Sequence, residues 1–217
     1  MSYKIWILDL DGTAADTVES IANSANIALE SVGLPAQPVD YYKKFAGDGQ
    51  FELIQRALTS AGDEKLEFYD RVLARYVEEF KTGCTYKVKP YDGLREVLEK
   101  AKKSQIKLAI LSNKRHNNVL SVVEAAYGEG FFDWVQGQTD DIPKKPSPEG
   151  VFFILGKFGL KPEECLYIGD TNVDMQTGNN AGCDALGVTW GFRDRQELED
   201  NNATFIIDEP KGLLEFL

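Results

Sequence analysis

Residues 5–13 read Ile5-Trp6-Ile7-Leu8-Asp9-Leu10-Asp11-Gly12-Thr13, and the fold turns on this stretch. From Tyr3 to Leu8 the chain carries the apolar run expected of a strand buried on both faces. It then sets two carboxylates one residue apart, where like charges repel and burying either one alone is expensive. A buried strand that ends this way needs positive charge from elsewhere, supplied by the chain or by a bound cation.

Further apolar runs predict strands over residues 106–112, 165–170 and 184–190, with a weaker one over 203–208. Helical patterns lie between them, such as residues 93–104, where Leu94, Val97, Leu98 and Ala101 recur at helical spacing. Strands alternating with amphipathic helices predict an α/β fold built on a Rossmann-like, mostly parallel sheet. Residues 16–89 are different. Ile21, Ala25, Ala28, Leu29 and Val32 form one apolar helix face ending at Gly33, and the stretches 51–62 and 65–83 repeat the pattern and also stop at glycines. This block predicts an all-helical insert after the first strand, with its joints at residues 13–17 and 86–93.

The composition narrows the partners. Twenty-four basic against thirty-five acidic side chains leave a net charge of −11, which repels nucleic acid and anionic membranes. An anionic substrate therefore needs a local basic or metal-bearing site. Cys84, Cys165 and Cys183 are odd in number and widely spaced, which speaks for a reducing, cytoplasmic location and against a disulfide framework. No signal peptide or membrane span is expected.

Three of the predicted strands end in polar residues: Asp9 and Asp11, Ser112 and Asn113, and Asp170. Open parallel sheets bind ligands beyond the carboxyl ends of their strands, so these residues should meet on one rim. Lys145, in the loop Lys144–Pro148, can bring a positive charge there. Asp9, Asp170 and Asp174 form an oxygen-only cluster suited to Mg²⁺. In such a site Asp9 can attack a phosphoryl group and Asp11 can act as general acid and base, while Ser112 holds a phosphate oxygen. Each residue also has a plainer reading: Asp-Gly as a turn, Ser112 as a helix cap, Lys145 as a solvated charge, Asp174 as a first-turn helix acid. All four plain readings coinciding in order at strand ends is much harder to accept.

The segments "DLDGT", "LSN", "KKPSP" and "GDTNVD" closely resemble the four ordered motifs of the haloacid dehalogenase-like superfamily, and the helical insert looks like its cap. The resemblance implies a catalytic core of residues 1–15 plus 91–217 and a helical cap domain of residues 16–90. It implies that Asp9 is nucleophile and metal ligand, and that Asp11 is acid/base and binds metal through its carbonyl. Ser112 and Asn113 bind the phosphoryl group, Lys145 balances charge, Asp170 and Asp174 hold Mg²⁺, and Thr13 braces the first loop. The presence of Asp11 points away from carbon–halogen chemistry, and the absence of a histidine early in the cap points away from sugar-phosphate mutases.

The segment "FAGDGQFELIQRAL" is similar to the cap of phosphoglycolate phosphatases, which makes Gly47, Asp48, Gly49 and Gln50 candidate specificity residues. Two features depart from the pattern: Ala14 and Ala15 where bulkier residues are common, and Lys144 where arginine is usual. The expectation is an Mg²⁺-dependent phosphomonoesterase acting on a small phosphorylated metabolite through an aspartyl phosphate, as a monomer or homodimer. The alternatives are a pyrophosphatase, nucleotidase or sugar-phosphate phosphatase on the same scaffold, or a non-enzymatic phosphate-responsive binding protein. The basic residues Lys43, Lys44, Arg56, Lys114 and Arg115 are candidates for a substrate carboxylate, though each reads more simply as solvated surface.

Overall fold

The computed structural model describes residues 3–217. With elements numbered along the chain, β1 (Ile5–Leu8), β4 (Lys107–Arg115), β5 (Trp134–Gln138), β6 (Cys165–Gly169), β7 (Asp184–Val188) and β8 (Phe205–Ile207) form one parallel sheet. Their order is β5-β4-β1-β6-β7-β8. The apolar runs are continuous because both faces are covered. Trp6, Leu8, Leu108, Ile110, Leu166 and Ile168 point to one side, against α5 (Leu94–Lys103) and α6 (His116–Tyr127). Their alternating neighbours Ile5, Ile7, Ala109, Leu111, Cys165 and Tyr167 point to the other, against α7 (Glu149–Phe158).

Two features of the sheet depart from expectation. β5 carries polar residues and was not foreseen, because an edge strand with only one pairing partner needs no continuous apolar run. β4 continues to Arg115, three residues beyond the expected end at Ser112.

The insert is helical as expected: α1 (Val18–Glu30), α2 (Tyr41–Phe45), α3 (Gln50–Ser60) and α4 (Tyr69–Gly83). Helix α4 starts later than its apolar pattern suggests. The buried Asp63 accepts hydrogen bonds from the backbone N–H groups of Glu67 and Phe68, both at 2.9 Å, and holds the preceding residues in a turn. The joints hold a small antiparallel ribbon, β2 (Ala15–Asp16) with β3 (Lys89–Pro90). Two residues per strand are too few for a period-two signal, so the sequence does not announce it. Ile21, Leu29, Leu58 and Tyr76 of the insert join the same apolar cluster as Trp6 and Leu8 of the sheet. Among the described residues, no helix is long and apolar enough to cross a membrane.

This topology positions a site. The chain runs from β1 out to β4 and β5 and then returns to the far side of β1 as β6, so strand order reverses at β1. Leu8 is level with Ile110 of β4 and Ile168 of β6. Asp9, Ser112 and Asp170 therefore leave the sheet along one rim.

Candidate active site

Asp9 is buried at the tip of β1, where its N–H donates to the Ile168 carbonyl at 2.9 Å. The positive charge that this strand end requires comes from Lys145. Its Nζ donates to Asp9 Oδ1 at 2.6 Å and to Asp174 Oδ1 at 2.7 Å, with all three side chains almost fully buried. Burial alone pulls the lysine's pKa down, but Asp174 and Asp9 outweigh it and hold the ammonium group well above its ordinary value. Asp9 is pushed well above the usual carboxylate range, first by burial and then by Asp174, Asp170 and Asp11, with Lys145 opposing.

The other two acids are locked by the loops that carry them. Asp174 sits in the first turn of α8 (Asn172–Ala181) and accepts from the Thr171 N–H at 3.1 Å and the Thr171 hydroxyl at 2.7 Å. It is thus a helix-capping acid and a site residue at once. Asp170 accepts from the Thr13 hydroxyl at 2.6 Å and from the Phe192 N–H at 2.7 Å. Burial, followed by the Asp174 charge, pushes its carboxyl up to about 7. Gly12 makes the close approach of the first loop possible. Its φ is +89°, and a Cβ there would collide with the Asp170 carboxylate.

Asp9, Asp170 and Asp174 each offer an oxygen within 4.8 Å of the others. Oxygen-only donors, deep burial and a surplus of negative charge fit a hard divalent cation. Lys145 alone does not neutralise three carboxylates, and the Asp174 charge adds to burial, the larger cause, in raising the carboxyl of Asp170.

Asp11 is oriented separately. Its Oδ1 accepts from the Thr17 hydroxyl at 2.5 Å and from Lys114 Nζ, while no donor among the described residues meets Oδ2. One oxygen is anchored, and the residue lines the cavity described below. Ser112 is buried and accepts from the Lys114 N–H at 3.2 Å, so its hydroxyl proton is available to a ligand. Asn113 is occupied otherwise: its side chain donates to the carbonyls of Gly47 and Lys145, both at 3.1 Å, and accepts from the Lys145 N–H at 2.8 Å. It ties the helical insert to the lysine loop.

A cavity of about 50 Å³ lies over these groups. Its floor includes Asp9, Asp11 and Ser112, and its roof includes Gly47, Gly49, Gln50, Tyr76 and Phe80. Gly47 and Gly49 have φ of +119° and +99°, a conformation that an L side chain resists, so this turn requires glycine for its backbone and not for lack of space. Asp48 does not line the cavity; it points away and pairs with Arg56 at 2.5 Å. Of the basic candidates, Lys43 pairs with Asp40, and Arg56 is held by Asp48 and the Phe45 carbonyl. Lys114 is a correction: it is buried beside Asp11, not solvated. The signal was its place directly after Ser112 and Asn113, and the extension of β4 past Ser112 carries it inside. Thr17, Tyr76 and Phe80 also escaped the sequence reading, because at helical spacing an aromatic or a threonine reads as ordinary helix.

A carboxylate at the tip of the central strand, a lysine on it, a metal-suited acid cluster and a second oriented acid define a hydrolase of the phosphatase class. The sequence matches the family model described as haloacid dehalogenase-like hydrolase over residues 6–188, and the chain belongs to that family. Similar proteins include the phosphoglycolate phosphatase of Mannheimia succiniciproducens, 29% identical with 99% of this chain and 98% of the relative covered. That of Haemophilus influenzae shows the same identity and coverage. Among solved structures, a candidate phosphoglycolate phosphatase from Lactobacillus delbrueckii subsp. bulgaricus superposes with a TM-score of 0.92 at 30% identity, covering 100% of this chain and 99% of that one.

Proposed function

We propose that this phosphatase is a Mg²⁺-dependent phosphoglycolate phosphatase working through a phospho-Asp9 intermediate. The observation that carries the reading is the Asp9 carboxylate held 2.6 Å from Lys145 within the acid triad, at the floor of a small cavity. Residues 16–90 act as a cap domain over a core of residues 1–15 plus 91–217, and the enzyme works in the cytoplasm as a monomer or homodimer. The relatives named phosphoglycolate phosphatase support this choice of substrate.

Asp9, the Asp11 carbonyl, Asp170 and Asp174 would hold Mg²⁺, which when bound neutralises charge on the phosphoryl oxygens. Asp9 attacks phosphorus and the bond to the leaving oxygen breaks. Asp11, protonated on its free oxygen, gives its proton to the departing alkoxide. Asp11 then takes a proton from a water molecule whose oxygen attacks the phosphoaspartate, releasing phosphate and restoring Asp9. Ser112 steadies a phosphoryl oxygen, as does Asn113 through its backbone, since its side chain is engaged. Lys145 offsets charge throughout, and the roof keeps bulk water out while the phosphoryl group moves.

The test is initial-rate phosphate release with Mg²⁺ from phosphoglycolate, pyrophosphate, hexose phosphates and nucleoside monophosphates, with Asp9→Asn as blank. Preference for phosphoglycolate, lost in the blank, is expected. Preference for another ester would overturn the substrate and keep the mechanism.

A further inference from the structure

The roof and floor of the cavity raise a question of charge. A phosphoester with a second anionic group must bring that group to a cation, and the cap helix α3 carries an obvious one in Arg56. Yet Arg56 is turned outward, with one nitrogen on Asp48 at 2.5 Å and another on the Phe45 carbonyl at 2.8 Å. Arg193 is likewise bound to backbone, at the Lys43 and Ala46 carbonyls. Lys144 reaches Glu52 and the Asp48 carbonyl on the outside of the seam. Among the described residues, Lys114 and Arg115 are the cationic side chains that line the cavity. Arg115 is half-exposed and pairs with the solvent-facing Asp140.

Lys114 is the inward one. Its side chain is 6% exposed, its Nζ binds Asp11 Oδ1, and it lies 5.1 Å from the centroid of the Phe80 ring. An ammonium group has three protons. Asp11 takes one, and the aromatic face is a weak partner compared with an anion. Beside it, Tyr76 of α4 is 3% exposed, lines the same cavity and makes no hydrogen bond among the described residues. Burial, with the nearby Asp11 charge, pushes its phenol well above the ordinary value, so it remains a donor. The cavity is thus lined by a buried cation with unused donors and by a tyrosine that makes no hydrogen bond among the described residues, one from the core and one from the cap.

Resting on the phosphatase reading above, we infer that Lys114, with the Tyr76 hydroxyl, receives the second anionic group of the substrate, the carboxylate of a short phosphorylated hydroxy acid. Arg56 is excluded from this role because it does not line the cavity and its contacts hold it on the outside. The arrangement links recognition to chemistry, because the lysine that meets the carboxylate also holds the acid/base Asp11. It also makes the selectivity site composite, so that it is complete only with the cap closed.

The experiment compares kcat/KM for 2-phosphoglycolate with that for ethyl phosphate, which lacks the carboxylate, in the wild type, Lys114→Met, Lys114→Arg and Tyr76→Phe. The wild type should prefer phosphoglycolate. In Lys114→Met the ratio of the two constants should fall about tenfold or more, chiefly through KM, and Lys114→Arg should restore part of it. Tyr76→Phe should lower the ratio by a few-fold, and this variant carries the test if Lys114→Met does not fold. Equal losses on both esters would show that Lys114 serves only to position Asp11 and would overturn the inference. A wild type without preference for phosphoglycolate would overturn it too, leaving the phosphatase reading intact. A wild type inactive on both esters would instead overturn the phosphoglycolate assignment above, and this inference with it.

Discussion

The rim of the sheet and the mouth of the cap are held by different kinds of contact. On the rim, Asp170 and Asp174 have every carboxylate oxygen hydrogen-bonded inside the core, and Lys145 bridges two acids with almost no exposure. At the mouth, the half-exposed Lys144 clasps the cap at Glu52, 2.5 Å, and at the Asp48 carbonyl, 3.0 Å, while the largely buried Arg193 holds the Ala46 carbonyl at 2.9 Å. Removing one partner from a buried charge network leaves the other unpaired, at a cost of about 3–5 kcal/mol. An exposed pair is worth roughly 0–1 kcal/mol. The chemistry is therefore built into a rigid half, while access is governed by contacts weak enough to break and re-form in a catalytic cycle.

The largest expected effect breaks the rim. Asp9→Asn removes the nucleophile, and phosphate release should fall by at least roughly a thousandfold, to background. A near-wild-type rate in this variant would end the covalent mechanism. Asp11→Asn should cost up to about a thousandfold on phosphoglycolate. The loss should be much smaller on p-nitrophenyl phosphate, whose leaving group needs no proton. An equal loss on both would show that Asp11 acts through the metal or the fold.

The metal sharpens the comparison in a pH-dependent way. Asp170, with its carboxyl pushed up to about 7 by burial and the Asp174 charge, must lose its proton before it can ligate. Protons and metal compete, so Mg²⁺ affinity should weaken as pH falls from 8 to 6, by up to about tenfold per unit. Calorimetric titration of the metal-free protein measures it, and Asp170→Asn should weaken binding and flatten the dependence. A pH-independent affinity in the wild type would contradict the burial argument.

The smallest effect belongs to the mouth. Lys144→Ala removes a partly exposed clasp and should change kcat and KM together by less than about fivefold, with little change in unfolding midpoint. A loss as large as that of Asp11→Asn would mean that the two halves are not so different.

Much of this was legible along the chain. Ile5–Leu8 reads as a doubly buried strand, and the acids at its end required a cation; Asp9 and Asp170 follow from strand-end positions in a parallel sheet, with Lys145 on the loop before α7 and Asp174 in the first turn of α8. Apolar period and strand-end chemistry are local, and a one-dimensional reading captures them. Lys114, Tyr76, Arg56 and Asp48 were not legible in the same way. Arg56 and Lys114 are both basic residues near a proposed mouth, yet one faces outward to Asp48 and the other inward to Asp11. That choice depends on how α3 and α4 sit over β4. Side-chain direction at a seam between two packed units is settled by which partners the packing brings within reach, and no spacing along the chain encodes it.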